Sequence, residues 1–468
     1  MKKHFLLITL VATAFAACKK DGQKPNAGRP ETASRLAAAA VCEPCNTAPK
    51  DLPDVISGNR TLYRDTCYIL DGKTWVKNGT LTIQPGTIIK GIKKATASEA
   101  SALIITRNAS INAAGTADCP IVFTSNETTK AAGDWGGVVV LGDALVCTTT
   151  GTAQIEGINP VIVPAGVDYT YGGTTANDNS GTLSYIRIEY AGAVIQEGNE
   201  LNGLTLGGIG CGTTMDHIEV MYGADDGFEF FGGNVNGKYL LAIANNDDQF
   251  DFDFGYKGNL QFLVSIIKPS VEYAANNSNG IECDGGQVSS CYSRPVISNM
   301  TIVGAPNCTV TSTNQLLNGT RFRNNTYAVM RNSIVYGYPT AIRLESAVTT
   351  ASFNNTDSCG TSGTATYLFN NAVQACVTAF ATFTPHSSTT SNTVAGLNLS
   401  DAFPAAFADY FDPIASPLAP AAPPTSNKTG FCGLLPVNCS YAFNTVTYKG
   451  GAVDPSGNYW LGDTWIRF

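Results

Sequence analysis

Residues 225–233 read DDGFEFFGG and residues 247–255 read DDQFDFDFG. Laid side by side, Asp225, Asp226, Phe228, Glu229 and Phe230 match Asp247, Asp248, Phe250, Asp251 and Phe252 at an offset of 22 residues. The same short pattern returns as WGGVVVLGD (135–143), NGLTLGG (202–208) and NGIECDGG (279–286), and more weakly as GTRFRN (319–324) and TAIRLES (340–346). A second β-rich pattern interleaves with it: LSYIRIEYAG (183–192), MDHIEVMYGA (215–224), KYLLAIANN (238–246), NLQFLVSII (259–267), ISNMTIVGA (297–305) and RNSIVYGY (331–338). Short strands broken by Gly, Asn and Asp, copied at a nearly fixed period, are the mark of a β-solenoid. A sandwich or barrel also has many short strands, but its strands are not copies of one another.

In a solenoid one rung cannot bury its inward side chains alone, and stacked rungs about 4.8 Å apart bury them as continuous columns. Side chains alternate along a strand. Val138/Val140, Leu204/Leu206, Phe228/Phe230, Phe250/Phe252 and Ile281/Cys283 are therefore predicted core. The residues between them point outward and form one column: Thr205, Glu229, Asp251, Glu282, Arg321 and Arg343. Low charge (14%) and 47 glycines agree with an all-β chain rich in turns.

The first residues resemble a bacterial lipoprotein signal. Lys2 and Lys3 precede the apolar run FLLITLVATAFA, and Ala16 and Ala17 lead to Cys18. The run is too short to span a bilayer. On this reading residues 1–17 are removed, Cys18 carries the lipid, and the rest is exported. Loss of Lys2 and Lys3 leaves 27 basic against 37 acidic residues, a net charge of −10, which excludes a nucleic-acid footprint. Thirteen cysteines follow Cys18, and export favours disulfides. The near neighbours in sequence are Cys42/Cys45, Cys119/Cys147, Cys359/Cys376 and Cys432/Cys439, although spacing does not fix connectivity.

GTLTIQPGTIIKG (79–91), GDWGGVVVLGDA (133–144), NELNGLTLGGIG (199–210), the two acidic copies and WLGDTWIRF (460–468) together resemble a family of Bacteroidota surface lipoproteins. The resemblance runs from about residue 54 to the end of the sequence. It implies a right-handed parallel β-helix of the pectin-lyase-like kind, lipid-anchored at the outer membrane and exposed at the cell surface. It implies no activity. The expected organisation is a signal peptide (1–17), the lipidated Cys18 with a flexible tether (18–50), a β-helix (51–400) whose first rung is TLTIQPGTIIKG, a Pro-rich linker (401–429) and a small cap on the open end (430–468).

For chemistry, the outward column is the place to look. Glu229, Asp251 and Glu282, with Asp226 and Asp248 beside them, offer many hard oxygen ligands, which suit Ca²⁺. Carboxylates this close repel, so a pKa should rise unless a cation intervenes. The competing reading has Asp226 and Asp248 bonding turn amides. Polysaccharide lyases of pectate-lyase type hold calcium on neighbouring rungs and abstract a proton with Arg or Lys. By that analogy Arg321 is the candidate base and Arg343 a uronate-binding residue; the bland alternative is that Arg321 is a salt-bridge partner. Trp135 packs over a turn or stacks on a sugar. His217 and His386 lie in unrelated contexts, which argues against Ser-His-Asp machinery and His-based metal sites, while a glycosidase using two carboxylates of the cluster is the other enzymatic option. Three function classes remain: a calcium-stabilised surface scaffold binding glycans or surface proteins, a calcium-dependent lyase, and an architectural envelope protein.

Overall fold

The computed structural model describes Cys42, Cys45 and residues 47–467, apart from 197–198, 269–272, 274–277, 289, 306–315, 352, 354–365, 370, 383–392, 395–440, 445, 447–448, 453 and 457–459. The signal peptide, Cys18, most of the tether, the Pro-rich linker, His386, Cys359, Cys432 and Cys439 lie outside the described residues.

Alternation decides the architecture. Phe228 stacks on Phe250 with ring centroids 4.9 Å apart, and Phe230 on Phe252 at 5.0 Å, because their strands pair in parallel with Phe228 opposite Phe250 and Glu229 opposite Asp251. Each fully buried phenylalanine contributes roughly 1.5–3 kcal/mol, and the stacking adds to it. All ten predicted core residues lie in one continuous core. The chain winds as a right-handed parallel β-helix. Its front sheet stacks Ala102–Ile105, Gly137–Leu141, Leu204–Gly207, Phe228–Phe231, Phe250–Asp253, Asn279–Cys283, Asn318–Phe322, Thr340–Leu344 and Thr378–Ala381. Winding starts one rung earlier than expected. Val55–Ser57 and Arg60–Leu62 already pair with the long strand Lys73–Ile83, ahead of TLTIQPGTIIKG.

The interleaved copies form the back sheet: Gly181–Glu189, Thr214–Met221, Gly237–Ile243, Asn259–Ile266 and Val296–Val303. Each bends at one residue of positive φ, namely Tyr185, His217, Tyr239, Phe262 and Asn299. These residues lie at the same register position on successive rungs, so the bend is itself a column. Repetition overrides the ordinary reluctance of aromatic residues to enter the left-handed region. The rings stack: Tyr185 on His217 at 4.2 Å, His217 on Tyr239 at 4.4 Å and Tyr239 on Phe262 at 5.1 Å.

The C-terminal piece is not a cap on the open end. The described residues between 441 and 467 lie as a strap along the outer flank of the back sheet. Phe443 packs on Val296 and Val329, Lys238 and Gln261 bond Asn444, and Gly451 N donates to Thr301 Oγ1. Trp460 and Trp465 are buried against Met221, Leu241, Ile243, Val264 and Ile266. That flank is apolar on its outward side, so it needs a lateral cover. Neither tryptophan is free to bind a ligand.

Two of the expected near-neighbour pairs, Cys42/Cys45 and Cys119/Cys147, are not formed. Cys42 joins Cys119, Cys45 joins Cys67, and Cys147 joins Cys291. Neighbours in sequence lie along a rung, whereas these bonds tie different rungs and loops together. Cys211 and Cys376 are disulfide-bonded as well, and Cys283 is a buried thiol in the core.

Candidate functional site: an acidic corner on the front sheet

The outward column on the front sheet is in register throughout. Val139 faces Thr205, then come Glu229, Asp251, Glu282, Arg321 and Arg343, each opposite the next. Ile104 and Trp75 continue it in the other direction. One file of side chains thus runs from apolar through acidic to basic.

Outward does not mean exposed here. The insertion between the Gly137–Leu141 and Gly181–Glu189 strands folds over the apolar third, placing Ile155, Ile158, Val167 and Tyr171 on Trp75, Ile104 and Val139. Close approach is possible because Gly207 has no side chain: a Cβ there would sit 2.8 Å from Tyr171 Cγ. Thr205 and Glu229 are only 1% and 5% exposed, and Glu282, held by Arg321 and Arg323, is likewise 5% exposed.

A ladder of Asx side chains holds the corner before the column. Asp226 N donates to Asn202 Oδ1 (3.2 Å), Asp248 N to Asp226 Oδ1 (2.8 Å) and Asn279 N to Asp248 Oδ1 (2.5 Å). Each side chain accepts the amide of the next rung, so the turn-binding reading of Asp226 and Asp248 is correct for one oxygen of each. Asp226 also converges with Glu229 and Asp251, and separately with Asp225 and Asp247; in each trio one carboxylate oxygen per residue lies within 4.8 Å of the others. Of the five residues expected to bind metal, the structure therefore brings together Asp226, Glu229 and Asp251. Asp248 does not converge with either trio, and Glu282 is held by Arg321 Nη1 and Arg323 Nη2, both at 2.9 Å.

The electrostatics are those of crowded acids. Burial, then Asp225 and Asp248, push Asp226 well above the usual carboxylate range. Burial, then Glu156 and Asp226, do the same for Glu229, and burial, then Glu282 and Asp253, for Asp251. Thr205 Oγ1 and Asp251 Oδ1 are buried without a hydrogen-bond partner among the described residues. A divalent cation between Asp226, Glu229 and Asp251 would relieve the repulsion, and hard carboxylate oxygens are the donor type such an ion takes, three of the six to eight that calcium needs.

Arg321 sits apart from this corner. Its Nε and Nη2 form a fork on Glu345 at 3.0 and 3.1 Å while Nη1 holds Glu282. Burial works to lower its pKa, but Glu345 and Glu282 outweigh that and raise it. An arginine held this way is a brace, the opposite of what a proton acceptor needs. Arg343 is half-exposed with Nε 3.2 Å from Glu345. Trp135 is fully buried, stacked near Phe123, with Nε1 donating to Glu189 O at 2.8 Å. It belongs to the core and cannot receive a sugar.

Sequence reasoning missed Glu156. It comes from the insertion, hydrogen-bonds Glu229, and has its pKa raised to about 7 by burial, then Glu200. No repeat marks it, and nothing in the sequence 73 residues upstream of Glu229 signals the contact.

A pectate-lyase-like beta helix domain model matches residues 54–404. The chain belongs to that family. No curated protein and no solved structure matches it. The match covers every rung of the acidic column and fits a role connected with glycans in general.

Proposed function

We propose that this pectate-lyase-like β-helix protein is a lipid-anchored surface scaffold that binds glycans, with calcium seated at the Asp226–Glu229–Asp251 corner. The observation that carries the reading is the convergence of two buried carboxylates, Asp226 and Glu229, with the half-buried Asp251, all three with raised pKa values, one Asp251 oxygen having no hydrogen-bond partner among the described residues. A cation there would tie two neighbouring rungs together in register and leave the fold's outer surface for a ligand. The anchor rests on the FAAC sequence ending at Cys18.

Binding ranks above lysis because Arg321 is held by two carboxylates. An architectural role in the envelope would need neither the corner nor a ligand. Two measurements decide between these. Calorimetric titration of the chelated protein with calcium is expected to show binding that Asp251→Asn weakens at least tenfold; no heat in the wild type removes the cation. A glycan array run with calcium is expected to return hits, and a blank array favours the architectural role. Incubation with uronate polysaccharides, followed by absorbance of the unsaturated product, is expected to stay flat. For the anchor, radiolabelled palmitate should be incorporated in cells by the wild type and not by Cys18→Ala.

A further inference from the structure

Where the insertion stops covering the front sheet, it leaves a cleft of about 340 Å³. This is within the range of small-molecule sites, ~300–1,000 Å³. Its floor is aromatic. Tyr171 and Phe231 lie 5.8 Å apart and Phe231 and Phe254 5.7 Å apart, and all three line the cleft. Phe254 is only partly buried and is fixed in place by its backbone, with φ +45° followed by Gly255 at φ +88°. A side chain at Gly255 would run into Cys147 Sγ, so the turn sits tight against the Cys147–Cys291 disulfide. Backbone held in this region is a cost borne where position matters. The rim is polar and uncharged, with Thr150, Gln154 and Gln287 exposed on it. At one end stands Glu156, the same carboxyl that bonds Glu229.

An aromatic floor with hydroxyl and amide groups around it is the chemistry that receives a sugar ring: apolar C–H face down, hydroxyls outward. The charge narrows the choice. Among the described residues no lysine, arginine or histidine lines the cleft, and its acid, Glu156, lies in the field of Glu200 and Asp253. Above pH 7, where Glu156 is ionised, a uronate carboxylate would enter against like charge with no cationic side chain among the described lining residues to meet it, which discriminates against it. We infer that this cleft is a subsite for neutral or amino-sugar residues of a glycan, with the ring on Phe254 and a hydroxyl or ammonium group at Glu156. The inference rests on the glycan-binding reading and specifies its ligand class.

The test uses the full chain in chelator, so that no bound cation can bridge a uronate. Binding of three β- or α-linked hexamers, of glucose, of glucosamine and of galacturonate, is measured by calorimetry. The glucose or glucosamine hexamer is expected to bind at least tenfold more tightly than the galacturonate hexamer. Phe254→Leu should weaken that binding about tenfold, and Gln154→Ala, an exposed site whose loss leaves the fold intact, about threefold. Glu156→Gln should narrow the discrimination against the uronate. Tighter binding of the galacturonate hexamer overturns the charge argument while leaving glycan binding in place. Neutral or amino-sugar binding that neither Phe254→Leu nor Gln154→Ala changes overturns the cleft. If none of the three hexamers binds, the glycan reading falls and this inference with it.

Discussion

Titrating the protein from pH 8 down to pH 5 in the presence of a chelator is expected to raise its melting temperature, against the usual behaviour of an acidic protein. The reason is the sign of the shifts at the corner. Glu156 rises from 4.5 to about 7 and Asp253 from 3.8 to about 7, in each case chiefly through burial. An acid whose pKa is raised on folding holds its proton more tightly in the folded state, so stability increases as pH falls through the raised value. At one pKa unit per ~1.4 kcal/mol, each of these two groups yields about 2–3 kcal/mol between pH 8 and pH 5, roughly 5 kcal/mol together. Unfolding entropy of ~2.1 cal/mol/K per residue makes this worth about 5 °C for a chain of this size. Asp225, Asp226, Glu229, Asp248 and Asp251 are shifted in the same direction and add to it. Asp168 and Glu345, which are held low, act in the opposite direction only below this window. With calcium present, Asp226, Glu229 and Asp251 are held ionised by the cation and the slope should flatten. The assay is differential scanning calorimetry at four pH values with and without calcium. A melting temperature that falls on acidification in chelator refutes the electrostatic reasoning, and identical slopes in the two series refute the cation.

The remaining predictions concern the scaffold. Phe230→Ala opens a hole between Phe252, 5.0 Å away, and Tyr256, 4.7 Å away, and should cost about 3–5 kcal/mol in urea unfolding. A loss below 1 kcal/mol would mean the phenylalanine column is not core. Arg321→Ala strips one partner from Glu282 and the fork from Glu345, and should cost roughly 3 kcal/mol; unchanged stability would show that it is no brace. Removing residues 441–468 uncovers the apolar flank around Leu241, Val264 and Ile334, and should produce dye binding and concentration-dependent association. A truncated protein that stays monomeric and binds no dye would contradict the strap.

The column was legible in the sequence because repetition carries register. Once DDGFEF and DDQFDF are aligned, Glu229 has to face Asp251, and Glu282 and Arg321 follow by the same pattern. What could not be read is whatever leaves the repeat. Glu156, Tyr171 and the insertion that buries Glu229 are unique segments, placed by packing against Trp75, Ile104 and Val139 rather than by any period. The same holds for Cys147 with Cys291, 144 residues apart. Arg321 could be assigned to the column but not to its partners, since Glu345 sits two residues past Arg343 on the next rung and only side-chain geometry shows the fork. The strap misled for a related reason. Its tryptophans read as a cap because solenoids need one, whereas the unusual need of this chain is on its flank.

That strap alters how the chain can fold. A bare solenoid is assembled from neighbours, each rung on the last, with little sequence between partners. Here Thr464 bonds Ala117 across 347 residues and Arg187 reaches Trp465 across 278. These contacts close very long loops, and they form only once the rungs between them are stacked, since the flank they bind does not exist earlier. Residues 441–467 are also synthesised after every rung they touch. Rung-by-rung zipping is thus followed by one late locking event that couples the rungs between Ala117 and Ile334, which would otherwise fray independently.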